Sequence, residues 1–362
     1  MIRKHKNLYT MIGILTLIVT LLLLFKLIDN SKNIEENNVN TQGDNIFIDE
    51  DKSGTFTDLS NLSSWVVYWD LDVDNEIKQL DNELSSISYF SANFNDKNKL
   101  VIPEKLITYY NETKLYSFKK YITIVNDVVY DDGKSSLKDT NVLNEVLRDE
   151  ESRENHINEI IDLASKYEFD GIEIDYEQIK DDLDLWDNFL LFIDELYSKS
   201  ILNNLDLRVM LEPNAPIEKL DFIDGPIYVM MCYNLHGAFS EPGEKANEEF
   251  IKSLIEKMKK IDGNKSFAIA TGGFDWGEDG KTKSVSELEV NKILSEYDVD
   301  IQRDENSKYL YFNYMDKDNI KHEVWYADKI TLQCLYQPII EAGYNVSLWR
   351  LGGNLFNNFV GG

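Results

Sequence analysis

Three acidic residues stand at alternate positions in "FDGIEIDYE", residues 169–177: Glu173, Asp175 and Glu177. In an extended strand, alternate side chains share a face, so Ile172, Ile174 and Tyr176 fall on the other one. Same-face neighbours lie about 6.5–7 Å apart, twice the rise per residue. Carboxylates that close in a partly buried site cannot all ionise at their free pKa values, and at least one proton is retained towards neutrality. A retained proton is what a general acid needs. Glu177 comes last, at the exit of the strand, and is the candidate donor. A solvated surface strand would show the same period, but the isoleucines and the Asp170–Gly171 turn point to a strand packed on helices, with its acids facing inward.

Positioning such a strand takes a scaffold. From about Ser64, short apolar runs alternate with amphipathic stretches. The candidate strands are residues 65–69, 86–92, 121–125, 171–176, 207–211, 227–233, 267–271 and 345–351. Apolar residues at three- and four-residue intervals predict helices over 152–168, 184–199, 246–261 and 327–343. Strand–helix alternation repeated about eight times over roughly 250–300 residues is the pattern of an α/β (β/α)8 TIM barrel, whose chemistry sits at the carboxyl ends of the strands. No glycine-rich phosphate motif opens a helix, which argues against an open nucleotide-binding sheet. Residues 308–326 break the alternation and read as a β-hairpin inserted after strand 7.

"DGIEIDYE" resembles the fourth-strand signature of the family 18 glycoside hydrolases, the chitinases and endo-N-acetylglucosaminidases. "VVYW" looks like their first strand, "MCYN" (231–234) like their sixth and "SLWRLGG" (347–353) like their eighth; "VWYAD" before the last helix is similar to the branch acting on bacterial wall and spore-cortex peptidoglycan. The resemblance covers about residues 64–355. It implies retaining, substrate-assisted hydrolysis of β-1,4 bonds at N-acetylglucosamine residues, with no cofactor. Under it Glu177 is the acid, Asp175 supports the attacking acetamide and Tyr233 hydrogen-bonds its oxygen. Glu173, Tyr68 and Asn234 are expected in the binding set, and Trp349 forms an apolar floor. Glu173 and Asn234 replace the family's aspartates, and "ITIVND" stands where a serine–glycine–glycine motif is usual. A non-catalytic carbohydrate-binding barrel, or a chitinase acting on chitin oligomers, is the alternative.

Weaker signals surround this set. Glu212, just past a predicted strand, is a candidate sugar contact or a cap, and Trp276, in a glycine-rich loop, a candidate stacking platform or local packing. His236 reads as a loop residue. "DLDVDNE" (70–76) starts like a calcium loop but lacks the glycine and glutamate such a loop requires, so no metal is expected. Cys232 and Cys334, both in apolar surroundings, read as free thiols.

The 362 residues carry 37 Lys+Arg against 65 Asp+Glu, a net charge of −28, which argues against nucleic acid as partner and favours a neutral or cationic ligand. Residues 8–25 form an uncharged, mostly apolar run behind Arg3, Lys4 and Lys6. Its length approaches the ~20 residues of a membrane span. The reading is a basic end and transmembrane anchor over 1–28, a flexible linker over 29–62 and the barrel over 63–362, outside a cell membrane, as a monomer. A cleaved signal peptide with secretion is the alternative.

Overall fold

In the computed structural model, the described residues are 61–80 and 83–355. The chain divides into two units, 1–53 and 54–362. The first unit lies outside the described residues, and with it the expected anchor and most of the linker. Among the described residues, no helix is long and apolar enough to cross a membrane.

Eight parallel strands close into a barrel in chain order: Leu62–Val67, Leu84–Asn95, Lys119–Val129, Gly171–Asp175, Asp206–Leu211, Ile227–Met231, Lys265–Ala270 and Asn345–Trp349. The ring shuts where Ser63 pairs with Ser347 and the second strand pairs with the third. All eight predicted runs are barrel strands. They were legible because parallel strands buried on both faces read as apolar runs.

The helix before the fourth strand shows how sequence sets position. Asp149 caps helix Glu150–Tyr167 by accepting from Ser152 N at 2.9 Å, and the helix stops where Glu168 turns left-handed, φ 62°. Its inner stripe of Ile157, Ile160, Ile161 and Ala164 packs into the core that also holds Ile172 and Ile174. Each isoleucine so buried contributes about 1.5–3 kcal/mol. His156, on the same helix, meets the Tyr176 hydroxyl at 2.5 Å. Burial pushes its pKa down to about 3, so the ring is neutral. The outer face of the acidic strand is thereby locked, and its inner face is left to the barrel.

The predicted hairpin is present, with Leu310–Met315 antiparallel to Lys321–Tyr326. The insertion is larger than a hairpin, however. Strands Gly273–Gly277, Thr282–Val285 and Gln302–Arg303 join the hairpin in a five-stranded sheet, and helix Glu287–Glu296 packs there through Val290. Gly272, at φ +60°, turns the chain from the seventh barrel strand into this sheet. A side chain at Gly273 would strike the Trp325 carbonyl.

Candidate active site

The inner face of the fourth strand is layered. Gly171 comes first, where the Tyr121 ring occupies the space a Cβ would need. Glu173 comes next and is fully buried. Its Oε1 accepts from Trp65 Nε1 at 2.5 Å and Thr123 Oγ1 at 2.8 Å, and its Oε2 accepts from Ser88 Oγ at 3.0 Å. Arg208 Nε lies 2.9 Å from Oε2 in an ion pair whose members are 4% and 0% exposed. Small polar neighbours, Ser86 and Ser347, make room for the guanidinium. Glu173 was expected among the binding residues. With Arg208 it instead fills the barrel beneath the pocket and does not line it.

Above this layer opens a cavity of about 330 Å³, lined by six of the nine expected site residues: Tyr68, Asp175, Glu177, Tyr233, Asn234 and Trp349. Asp175 is 7% exposed, and its Oδ1 is buried with no protein hydrogen-bond partner. Burial raises its carboxyl well above the ordinary range, and the charge of Glu177 adds to the effect. Burial also raises Glu177, against the pull of Lys138; Glu212 and Asp127 push it further up. The Tyr233 hydroxyl is raised by burial and by the charges of Asp175 and Glu177, so it is a neutral donor. Asn234 sits at φ 69°, a left-handed conformation that asparagine tolerates better than most side chains, which gives its presence a local reason. Trp349 meets Trp65 and Phe90 edge-on, at 5.5 and 5.2 Å between ring centroids.

Glu177 is held by residues the sequence reading passed over. Its backbone N–H donates to Asn126 Oδ1 and its carbonyl accepts from Asn126 Nδ2, each at 3.0 Å. Its carboxylate forms an ion pair with Lys138, whose own N–H donates to Asp127 Oδ1 at 2.7 Å. Asn126 and Asp127 are the end of "ITIVND", so that departure from the family motif supplies the support for the acid. Trp69, half exposed at 50%, adds a flat apolar wall beside Tyr68.

Two further candidates lie outside this cavity, in the capping and packing roles that were the alternatives to sugar contact. Glu212 does not line the pocket. It accepts from Gln178 N at 2.7 Å and Gln178 Nε2 at 3.1 Å, fixing the left-handed turn (φ 64°) just after the acid. Trp276 lies on a strand rather than in a loop, is 7% exposed, and donates from Nε1 to the Gly237 carbonyl at 3.1 Å. It ties the insertion to the loop after the sixth strand and does not line the pocket. His236 likewise organises that loop, through the Glu241 carbonyl. Cys232 and Cys334 are free.

No family model matches the chain. Among curated proteins it is 27% identical over 257 residues to YvbX, an uncharacterized glycosylase of Bacillus subtilis, covering 66% of this chain and 72% of that one. It is 24% identical over 243 residues to the cortical fragment-lytic enzyme of B. subtilis, covering 59% of this chain and spanning about half, 54%, of the relative. Among solved structures, the spore cortex-lytic enzyme SleL of Bacillus cereus aligns with a TM-score of 0.70 at 19% identity, over 83% of this chain and 72% of that one. A chitinase from Chromobacterium violaceum aligns with a TM-score of 0.67 at 17% identity, over 83% and 96%. The chain resembles the spore-cortex branch of the family 18 glycoside hydrolases. The structural likeness is one of fold, and the curated relatives it matches are glycosylases and cortex-lytic enzymes.

Proposed function

We propose that the barrel is a glycoside hydrolase that cleaves β-1,4 bonds after N-acetylglucosamine residues in cell-wall peptidoglycan or a related glycan, with retention and with help from the substrate's own acetamide. The observation that carries this reading is the Asp175–Glu177 pair. Two acids, both raised by burial, line one cavity over an indole floor, and one of them keeps a buried oxygen without a protein partner.

In this reading Glu177 gives its proton to the departing glycosidic oxygen. The acetamide carbonyl oxygen of the sugar on Trp349 attacks the anomeric carbon as that bond breaks, forming an oxazolinium ring. Asp175 Oδ1 accepts the acetamide N–H and stabilises the positive charge; Tyr233 donates to the acetamide oxygen. Glu177, now ionised, takes a proton from water as the water oxygen attacks the anomeric carbon, and the acetamide is released. The substrate supplies the nucleophile, so a second nucleophilic carboxylate is not required, and this departs from the two-carboxylate scheme. Tethering by the apolar run at 8–25, with the barrel outside the cell, belongs to the same proposal.

The test is mass analysis of products from purified cell wall, from chitin oligomers and from a glycoprotein, with and without a thiazoline analogue of N-acetylglucosamine. Release of fragments ending in N-acetylglucosamine, blocked by the thiazoline, is expected. Turnover that ignores the thiazoline, on glycans with no N-acetyl group, would exclude the mechanism.

A further inference from the structure

Beside the catalytic cavity lies a second one of about 680 Å³ that shares Trp69 and Trp349 with it. Asp175 and Glu177 line only the first cavity. Because the leaving group must lie against the acid, a strand that crosses the two shared indoles and continues into the second cavity places there the sugar on the other side of the cleaved residue.

This second cavity is lined by two cations, Lys245 and Arg350, together with Asp70, Asp72 and Glu289. Lys245 lines it at 8% exposure, in a chain of net charge −28, yet no carboxylate forms an ion pair with it among the described residues. Its Nζ donates to the Thr271 carbonyl at 2.8 Å and sits 4.9 Å from the centre of the Phe274 ring. An ammonium has three donors, and a buried one without an anion is costly to keep charged. Accordingly, burial, with the Arg350 charge nearby, pushes Lys245 down to about 7. Arg350 also lines the cavity, and it binds Asp70 at 2.9 Å. Of the other lining acids, Glu289 is taken up by Lys283 and by the Ser286 cap, and Asp72 is exposed.

We infer that this second cavity is a subsite for a carboxylate-bearing sugar, in which Lys245, backed by Arg350, binds the lactyl carboxylate of a muramic acid residue adjoining the cleaved N-acetylglucosamine. The inference rests on the glycosidase reading and narrows its substrate. Chitin carries no carboxylate, whereas in peptidoglycan every second sugar carries the lactyl ether. A free lactyl carboxylate exists only where the stem peptide has been removed, so an amide hydrolysis that strips peptides from the strand supplies the preferred substrate. Trp69 and Trp349 give apolar contact to either polymer, and Lys245 discriminates between them.

The test uses the full chain carrying Glu177→Gln and calorimetric titration with two probes: a peptide-free tetrasaccharide of alternating N-acetylglucosamine and N-acetylmuramic acid, and the same compound with its carboxyls reduced to alcohols. The charged probe is expected to bind at least tenfold more tightly. Adding Lys245→Met, close to isosteric, brings its affinity down to that of the reduced probe. Equal binding of the two probes, which requires no Lys245 variant, overturns the inference, as does a preference that survives Lys245→Met. Wild-type protein that hydrolyses both probes with the same KM also overturns it while leaving the glycosidase reading standing. Wild-type protein that hydrolyses neither overturns that reading, and this inference with it.

Discussion

Arg208→Met tests why the fourth strand tolerates a third carboxylate. Glu173 and Arg208 are 0% and 4% exposed, so the guanidinium faces a carboxylate that water does not reach. Removing one member of a buried pair strands the other, at a cost of about 3–5 kcal/mol. Here Glu173 keeps three donors, from Trp65, Ser88 and Thr123. They still solvate the charge, so the lower end, about 3 kcal/mol, is expected. At roughly 2–4 °C per kcal/mol for a domain of 150–250 residues, and somewhat less for a larger barrel, the midpoint should fall by about 5–10 °C. The assay is urea unfolding followed by near-ultraviolet circular dichroism, with calorimetry for the midpoint. Glu173→Gln combined with Arg208→Met leaves no stranded charge and should recover most of the loss. A loss below about 1 kcal/mol in Arg208→Met, or no recovery in the double variant, would refute the assignment of Glu173 to structural support.

Two further outcomes follow from the acids above that layer. The Asp175 carboxyl is raised on folding by burial and by Glu177, so the stability it contributes is fully present below the unfolded value near 3.9 and is lost as pH rises through the folded value. Asp175→Asn should therefore raise the melting temperature more at pH 8 than at pH 4, while abolishing turnover; a gain independent of pH would contradict this. Lys138 pulls Glu177 down while Asp175, Asp127 and Glu212 surround it, so Lys138→Met should raise the acid further and move the alkaline limb of the kcat/KM profile to higher pH, with Lys138→Arg leaving it in place. A limb that stays put, or moves down, in Lys138→Met would show that the ion pair does not set the protonation of the acid.

Much of the fold could be read in advance because the parallel strands are apolar runs and the outer helices repeat at three to four residues, both of them local signals. The inserted sheet was less legible: "GFDWG" is broken by glycine at both ends, "TKSV" is short and polar, and the start of the helix at Ser286 is marked only by a serine–glutamate capping box, with Ser286 and Glu289 exchanging bonds. At the site, the period-two spacing put Asp175 and Glu177 on one side of the chain, and both line the same cavity although the strand itself ends at Asp175. Glu173 misled through the same spacing: it falls on the inner face, but only barrel closure shows that Arg208 is waiting there. An arginine inside the apolar run "LRVML" was the available hint, since such a charge needs a buried partner. Asn126 and Lys138 act across loops about 50 and 40 residues from Glu177 in sequence, and no local pattern announces such contacts.

Whether Glu177 is the proton donor is decided by hydrolysis of a purified wall-glycan fragment by the Glu177→Gln protein beside the wild type, with binding of the fragment followed in the same samples. Removing a general acid costs about 10²–10⁴-fold in rate. A loss in that range with binding retained is expected; cleavage by Glu177→Gln within tenfold of the wild type would rule Glu177 out as the acid.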